Sequence, residues 1–163
     1  NPTPDFSYGL NIYLEYKNFD LTMFWQGVQG VDVISDLKKE TDLWSGLNIG
    51  FLNKGKRVLD AWSPTNPNST IPALSRSDTN NEKRVSTYFV ENGSFLKLRN
   101  IQLGYNVPKN FAQKMKMERL RFYLSAQNVF TIKSKEFTGV DPENANYGYP
   151  IPMNITFGIN VGF

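Results

Sequence analysis

Carboxylates are the main candidates for acid–base or metal chemistry in this chain, because the sequence contains no cysteine and no histidine. That composition excludes Cys/His zinc sites, disulfide bonds and catalysis by Ser-His-Asp or Cys-His arrangements. General acid–base catalysis needs two carboxylates held at a fixed separation in a cleft away from water. The closest groupings are Asp32, Asp36, Glu40 and Asp42 in one stretch and Asp141 and Glu143 in another. Both stretches lie beside turn residues in predicted loops, so we interpret them as solvated acids and expect no enzymatic activity.

Residues 141–146 partly match the pattern of a calcium-binding loop. Ala145 occupies the fifth position, where such a loop needs an oxygen ligand, and the sixth position is not glycine. We therefore predict no metal site in this segment and no cofactor for the chain.

Basic residues are concentrated in one short region of the sequence. They are Lys109, Lys114, Lys116, Arg119 and Arg121. We interpret this group as a solvated basic face. The whole chain has 18 Lys and Arg against 15 Asp and Glu, a net charge of +3. That balance is too mild and too evenly spread to indicate nucleic-acid binding.

Aromatic residues in the predicted loops are candidates for ligand contacts. They are Trp44, Trp62, Tyr88, Tyr147 and Tyr149. An aromatic face offers apolar area on which a sugar ring can stack. The same side chains could equally pack a loop against itself or against a partner protein.

Alternation of apolar and polar residues predicts that the chain is all-β. From Phe6 to Tyr16 every second residue is apolar, and a second alternating run begins at Phe19 after a two-residue turn. The pattern predicts antiparallel strands over residues 6–16, 19–27, 94–106, 118–131 and 154–163. Long loops are predicted over 32–93 and 132–153, with short helical turns near 36–42 and 57–62. In the third strand, the apolar residues change from even-numbered to odd-numbered positions. This change indicates either a bulge near Arg99 or outward-facing Lys97 and Arg99.

The length of the strands and the position of their aromatic residues favour a membrane barrel. The run 6–16 spans roughly 25 Å at about 3.3 Å per residue and a tilt of about 40°. Aromatic residues end the strands, with Tyr16, Phe19, Tyr105 and Phe163 on one side and Phe6, Trp25 and Phe130 on the other. Two such girdles, with short turns on one side and long loops on the other, are typical of outer-membrane barrels. The sequence has no apolar run long enough for a transmembrane helix.

The alternation also assigns each strand residue to one face. We expect Leu10, Ile12, Leu124 and Phe157 to contact lipid. The residues expected to line a polar lumen or touch a plug are Asn11, Tyr13, Glu15, Thr22, Gln26, Tyr123, Ser125 and Gln127. Since the smallest single-chain barrels have about eight strands, five strands must be part of something larger. The alternative is a secreted, soluble β-sandwich that binds carbohydrate.

Several motifs, in order along the whole chain, resemble one family. They are Phe19-Asp-Leu-Thr22, Gln26-Gly27 with Gly30, Trp62 with Asn66-Pro67 and Pro72, the run from Tyr88 to Pro108, Asn128-Val-Phe-Thr131 and Gly139-Val-Asp-Pro-Glu143. This pattern resembles the C-terminal segment of SusC/RagA-like TonB-linked outer-membrane transporters. The resemblance implies the last five strands of a barrel of about 22 strands, filled by a plug domain.

The resemblance also implies a function and partners. It implies TonB-dependent uptake of oligosaccharides or peptides across a Gram-negative, Bacteroidetes-type outer membrane, with a SusD-like surface lipoprotein as lid. The plug domain and the segment that contacts TonB are expected to lie upstream and to be absent from this chain. Residues 32–93 and 132–153 are expected to be extracellular, and the candidate aromatic residues become possible ligand or lid contacts.

The last strand resembles a barrel-assembly signal. Thr156, Gly158, Val161 and Phe163 fit the pattern of a polar residue, glycine, an apolar residue and a final aromatic residue. Such a strand could add to the sheet edge of the barrel-assembly machinery. The alternative interpretation is an ordinary strand that happens to end in phenylalanine.

Overall fold

The computed structural model describes residues 1–43, 53–75, 77, 81–145 and 148–163. Two compact units are present. The loop unit comprises Asn1–Thr3, Val31–Gly93 and Ser134–Pro150, and the sheet unit comprises Pro4–Gly30, Ser94–Lys133 and Ile151–Phe163. The elements in chain order are β1 (Phe6–Tyr16), β2 (Phe19–Gln29), β3 (Asp32–Ile34), α1 (Asp36–Asp42), β4 (Val90–Asn92), β5 (Phe95–Asn106), α2 (Lys109–Lys114), β6 (Arg119–Lys133) and β7 (Asn154–Gly162).

The sheet unit is a five-stranded antiparallel sheet in the order β1-β2-β5-β6-β7. The predicted all-β class and antiparallel pairing are therefore confirmed. β2 continues to Gln29, where the sequence predicted an end at residue 27, and β6 continues to Lys133 instead of residue 131. As a consequence, Trp25 and Phe130 lie inside their strands and not at the predicted ends.

A bulge explains the change of apolar phase in β5. The pairing shifts between Leu98 and Asn100, and the facing part of β6 contains Asn128 with a φ of 53°. Asparagine tolerates this left-handed conformation better than most residues. The bulge keeps Leu98 on the same face as Ile101, and Lys97 is buried. The alternative prediction, with Lys97 facing outward, is wrong.

The loop unit contains regular structure within the region predicted as a long loop. β3 and β4 pair in a two-stranded antiparallel sheet, and 3₁₀-helices span Lys56–Asp60 and Thr87–Phe89. The hydroxyl of Ser35 accepts a hydrogen bond from the backbone N–H of Lys38 and so caps the start of α1. At its other end, the ammonium of Lys54 donates to the carbonyls of Glu40 and Leu43.

Among the residues that the structure describes, few apolar side chains are buried. In the loop unit they include Leu43, Phe89 and Phe137, and in the sheet unit Phe95, Leu98, Ala112 and Leu120. Among the residues that the structure describes, no helix is long and apolar enough to cross a membrane.

Candidate functional site

The outward face of the sheet is a continuous apolar surface exposed to its surroundings. Register places Leu14, Leu21, Leu103, Leu124 and Phe157 in one row across all five strands. Most of these side chains are about half exposed, and Phe157 is 65% exposed. A large contiguous apolar patch on a protein surface marks a site of interaction with a membrane or with another protein.

An aromatic row crosses one end of this face, beside the β1–β2 turn. Tyr16 pairs with Phe19, Phe19 with Tyr105, and Tyr105 with Phe122. The rings of Phe19 and Tyr105 are 4.8 Å apart between centroids. This arrangement follows from register, and the sequence alone identified Tyr16, Phe19 and Tyr105 as its members.

The opposite face of the sheet carries a buried ion pair. Arg121 donates from Nη2 to one oxygen of Asp20 at 2.5 Å and from Nε to the other at 3.2 Å. Asn106 donates its side-chain amide to the same carboxylate at 3.0 Å. The pair reaches across β5 above Gly104, where a Cβ atom would overlap both charged groups. No local pattern in the sequence marks Asp20 as a partner of Arg121.

The basic group predicted around the β5–β6 connection divides into two parts. Arg121 is engaged with Asp20 and largely buried, so its assignment to a solvated face is wrong. The alternation in β6 turns Arg121 toward the polar face, where a carboxylate lies within reach. The other members, Lys109, Lys114, Lys116 and Arg119, are exposed.

The loop unit holds a buried polar cluster around Asp42. Arg57 donates from Nε to Asp42 at 2.5 Å, and the hydroxyl of Tyr88 donates to the other carboxylate oxygen at 2.6 Å. Two partners drawn from distant segments offset the cost of burying this carboxylate. The prediction that the acids are solvated is therefore wrong for Asp42, and also for Glu40 and Asp141, which are buried.

Tyr88, one of the five candidate aromatic residues, is held within the loop unit. Lys38 donates to its carbonyl at 2.6 Å and places its ammonium 4.2 Å from the centre of its ring. Burial, followed by the hydrogen bond to Asp42, raises the pKa of the Tyr88 hydroxyl well above its usual value. The hydroxyl therefore stays protonated and donates to Asp42.

The cluster extends from Lys38 to the second long loop. Lys38 lies 3.8 Å from a carboxylate oxygen of Glu91, which is buried. Glu91 accepts hydrogen bonds from the hydroxyl and the backbone N–H of Thr138. These contacts join α1, β4 and residues 134–150 through polar side chains.

Two other candidate aromatic residues remain exposed. Tyr149 is almost fully exposed and lines a cavity of about 530 Å³. The lining is Leu37, Gly139, Val140, Asp141, Asn144, Gly148, Tyr149 and Pro150. Trp62 is partly exposed beside Leu59. Trp44 and Tyr147 lie outside the described residues.

The four residues of the predicted assembly signal lie in or just after β7. Thr156 and Phe163 are exposed, and Val161 pairs with Leu120. The Tyr123 ring lies over Gly158, so that any Cβ atom there would overlap it. Gly158 therefore has a packing reason to be glycine. In the described part of the chain, no group of acidic side chains is suited to hold a metal ion.

Curated relatives of the chain cover essentially its whole length. No protein-family model matches it. The chain is 34% and 33% identical, over its full length, to TonB-dependent receptors P3 and P26 of Formosa agariphila. It is 31% identical, over 99% of its length, to TonB-dependent receptor SusC of Bacteroides thetaiotaomicron. The chain spans only 17%, 17% and 15% of these three relatives.

Solved structures show the same similarity. Residues covering 99% of the chain superpose on a chain of the RagAB peptide importer with TM-scores of 0.76 in the open-open state and 0.79 in the closed-closed state, at 27% identity. In both cases the match covers 17% of the importer chain. The fold and these matches together show that the chain is of the class of TonB-dependent receptors. Within that class, the chain belongs to the SusC/RagA-like transporters.

Proposed function

We propose that this chain forms part of the barrel wall and outer loops of a TonB-dependent importer in a Gram-negative outer membrane. The observation that carries the proposal is the exposed apolar face of the sheet, backed by a polar face with a buried ion pair. In a transmembrane β-barrel, the apolar face contacts lipid and the polar face lines the interior.

The edges of the sheet support its incorporation into a closed barrel. Within the described residues, β1 pairs with β2 and β7 with β6, while the outer edge of each has no neighbouring strand. Unpaired backbone groups in lipid cost several kcal/mol each, so both edges need further strands. We propose that these come from a barrel of about 22 strands that encloses a plug.

The orientation follows from the lengths of the connections. Lys17 and Asn18 form the short β1–β2 turn, and residues 107–118 form the other short connection at the same end. Barrels of this kind have short periplasmic turns and longer extracellular loops. We therefore place these two connections in the periplasm and the loop unit outside the cell.

The proposed cargo is an oligosaccharide or a peptide, taken up with a SusD-like surface lipoprotein as lid. SusC is among the relatives of the chain, and the solved RagAB relative is a peptide importer. Tyr149 and Trp62 are the exposed aromatic side chains available for cargo or lid in the described part of the loop unit. The interior plug and the TonB system complete the proposed importer.

Transport is tested with the full-length transporter in its own cells. Uptake of labelled oligosaccharides and labelled peptides is compared between intact cells and cells that lack TonB. We expect one pool to accumulate only when both the transporter and TonB are present. Accumulation of neither pool would contradict the proposed cargo, and equal uptake without TonB would contradict the energy source. Purification of the transporter in mild detergent should recover the surface lipoprotein with it.

The soluble β-sandwich is the alternative. A sandwich needs a second sheet over the apolar face. In the described ranges, the other sheet is the short β3–β4 pair, and the apolar face is exposed. A stable monomer with a cooperative thermal transition, refolded from this chain without detergent, would favour the sandwich.

A further inference from the structure

The short helix α2 packs against the outward side of the sheet. Leu120 belongs to the outward face, since it pairs with Val161 and alternates with Arg119 and Arg121. It is nevertheless only 8% exposed, whereas Leu124 on the same face is 50% exposed. α2 contacts β6, and its Ala112 is 1% exposed. The burial of Ala112 and Leu120, together with the contact between α2 and β6, indicates that α2 packs at this end of the outward face.

The exposed surface of α2 is apolar on one side. Phe111 is 61% exposed and Met115 is 56% exposed. Four residues apart, they lie on the same face of the helical turn, with Met115 just beyond the last residue of α2. Both side chains are exposed, although Ala112 of the same helix is buried.

Lysine residues neighbour this apolar surface along the chain. Lys109, Lys114 and Lys116 are exposed, and the Lys114 ammonium lies 5.6 Å from the centre of the Phe111 ring. Glu118 is the one acidic residue between 107 and 118. Long lysine side chains can rest along an apolar surface while their ammonium groups reach outward to anions.

The helix α2 lies at the same end of the sheet as the aromatic row. Tyr16, Phe19 and Tyr105 cross the outward face at the end where β5 leaves the sheet and α2 begins. Aromatic rows of this kind lie at the level of lipid headgroups in membrane barrels. Exposed apolar side chains with lysines beside them in the chain, at that level, match the chemistry of a phospholipid surface.

We propose that α2 is a membrane-surface anchor. Phe111 and Met115 insert between the lipids of the leaflet at this end, and Lys109, Lys114 and Lys116 contact the phosphates of the phospholipid headgroups. The inference rests on the proposed barrel, because it needs the outward face to contact lipid. It adds a lipid-binding site outside the strands.

Fluorescence quenching in nanodiscs tests the anchor. The full-length transporter carries an environment-sensitive fluorophore on Phe111→Cys, or on Gln113→Cys as the matched control. Gln113 is exposed and lies about 200° around the helix from Phe111. The lipids carry a spin label either near the headgroup or near the middle of the acyl chain. We expect the probe at 111 to be quenched several-fold more by the shallow label than by the deep label, and the probe at 113 to be quenched weakly by both.

A third labelled variant, Leu124→Cys, separates the anchor from the barrel. Strong quenching at 124 by the deep label, with equal weak quenching at 111 and 113, would overturn the anchor and leave the barrel intact. Absence of quenching at 124 would overturn the barrel and the anchor together. A probe at 111 that is shielded from water but not quenched by lipid would indicate a protein partner and would also overturn the anchor.

The contribution of the lysines is tested by charge. The triple variant Lys109→Gln, Lys114→Gln and Lys116→Gln should lose shallow quenching at 111 in anionic nanodiscs and keep most of it in zwitterionic ones. The control, Lys135→Gln, changes an exposed lysine of the loop unit and should leave quenching unchanged. Unchanged shallow quenching at 111 in both kinds of nanodisc would contradict a contact between these lysines and the headgroups.

Discussion

Asp20 of β2 and Arg121 of β6 form a buried ion pair that spans β5, the strand between them. Their charged groups meet above Gly104 of β5, at 2.5 Å between Arg121 Nη2 and an Asp20 oxygen. The two residues are 101 positions apart in the sequence. The pair ties β2, β5 and β6 together on the face that we assign to the barrel interior.

Removing one partner of this pair should destabilise the barrel. Asp20→Ala leaves the guanidinium of Arg121 buried without its carboxylate, so we expect a loss of roughly 3–5 kcal/mol in the free energy of unfolding. The double variant Asp20→Ala, Arg121→Leu should lose less than the two single variants added together. Urea unfolding of the full-length transporter in detergent measures these values, with Asn160→Ala as an exposed control. Strict additivity would contradict direct coupling.

Charges on the outward face should be costly and charges on the other face should not. Leu124→Arg should lower the free energy of unfolding by about 2–4 kcal/mol in a lipid bilayer, because an arginine there must enter hydrocarbon. Asn11→Arg, at an exposed position of the opposite face, is the matched control and should be nearly neutral. Equal losses at the two positions, measured by refolding into vesicles, would refute the assignment of the faces.

Labelling from outside the cell tests the orientation. The chain has no native cysteine, so Lys17→Cys in the β1–β2 turn and Leu59→Cys in the loop unit add single thiols to it. Leu59 is 88% exposed. An impermeant thiol reagent on intact cells should label position 59 and leave position 17 unmodified. Disrupted cells provide the control, in which both positions should react. The opposite pattern in intact cells would reverse the proposed topology.

The Tyr88–Asp42 hydrogen bond predicts a pH dependence of the loop unit. Folding raises the pKa of Tyr88, so the protonated hydroxyl stabilises the folded loop unit. This stabilisation is fully present below the ordinary tyrosine pKa of about 10. It is lost as the pH rises through the higher pKa of the folded state. Cleavage of the loop unit by a protease active at high pH should therefore accelerate above about pH 10 in the native transporter. Tyr88→Phe should be cleaved faster at neutral pH and should show a weaker acceleration. An identical pH profile in the two proteins would contradict the assignment.

The predicted assembly signal leads us to expect a defect of assembly in cells. Phe163→Ala should reduce the amount of transporter assembled in cells, because it removes the exposed aromatic residue by which the last strand would be recognised. Refolding into detergent without the assembly machinery should proceed as in the native protein. Met153→Ala, which changes an exposed apolar residue before β7, is the control. A similar refolding defect in detergent would indicate that Phe163 acts in packing and not in assembly.

Local patterns determined the strands and their faces. Alternation from Phe6 to Tyr16 fixes which side chains share a face, because successive side chains of a strand point to opposite sides. The same reasoning predicted the five-stranded all-β sheet, which the structure has. It also predicted a bulge near Arg99 as one of two possibilities, since a single extra residue changes the phase of the alternation.

Contacts between distant segments were decided only by the tertiary structure. In the sequence, the acids around Asp42 look solvated, because the residues that flank them are turn residues. The residues that pair with Asp42 in the folded chain are not among its neighbours in the sequence. Arg57 and Tyr88 reach Asp42 from 15 and 46 residues away, and only the folded loop unit brings them together. In the same way, only the folded chain shows that Ala112 is buried while the neighbouring Phe111 is exposed. The physical reason is that a residue's type sets the cost of burying it, whereas its burial depends on which partners the fold supplies.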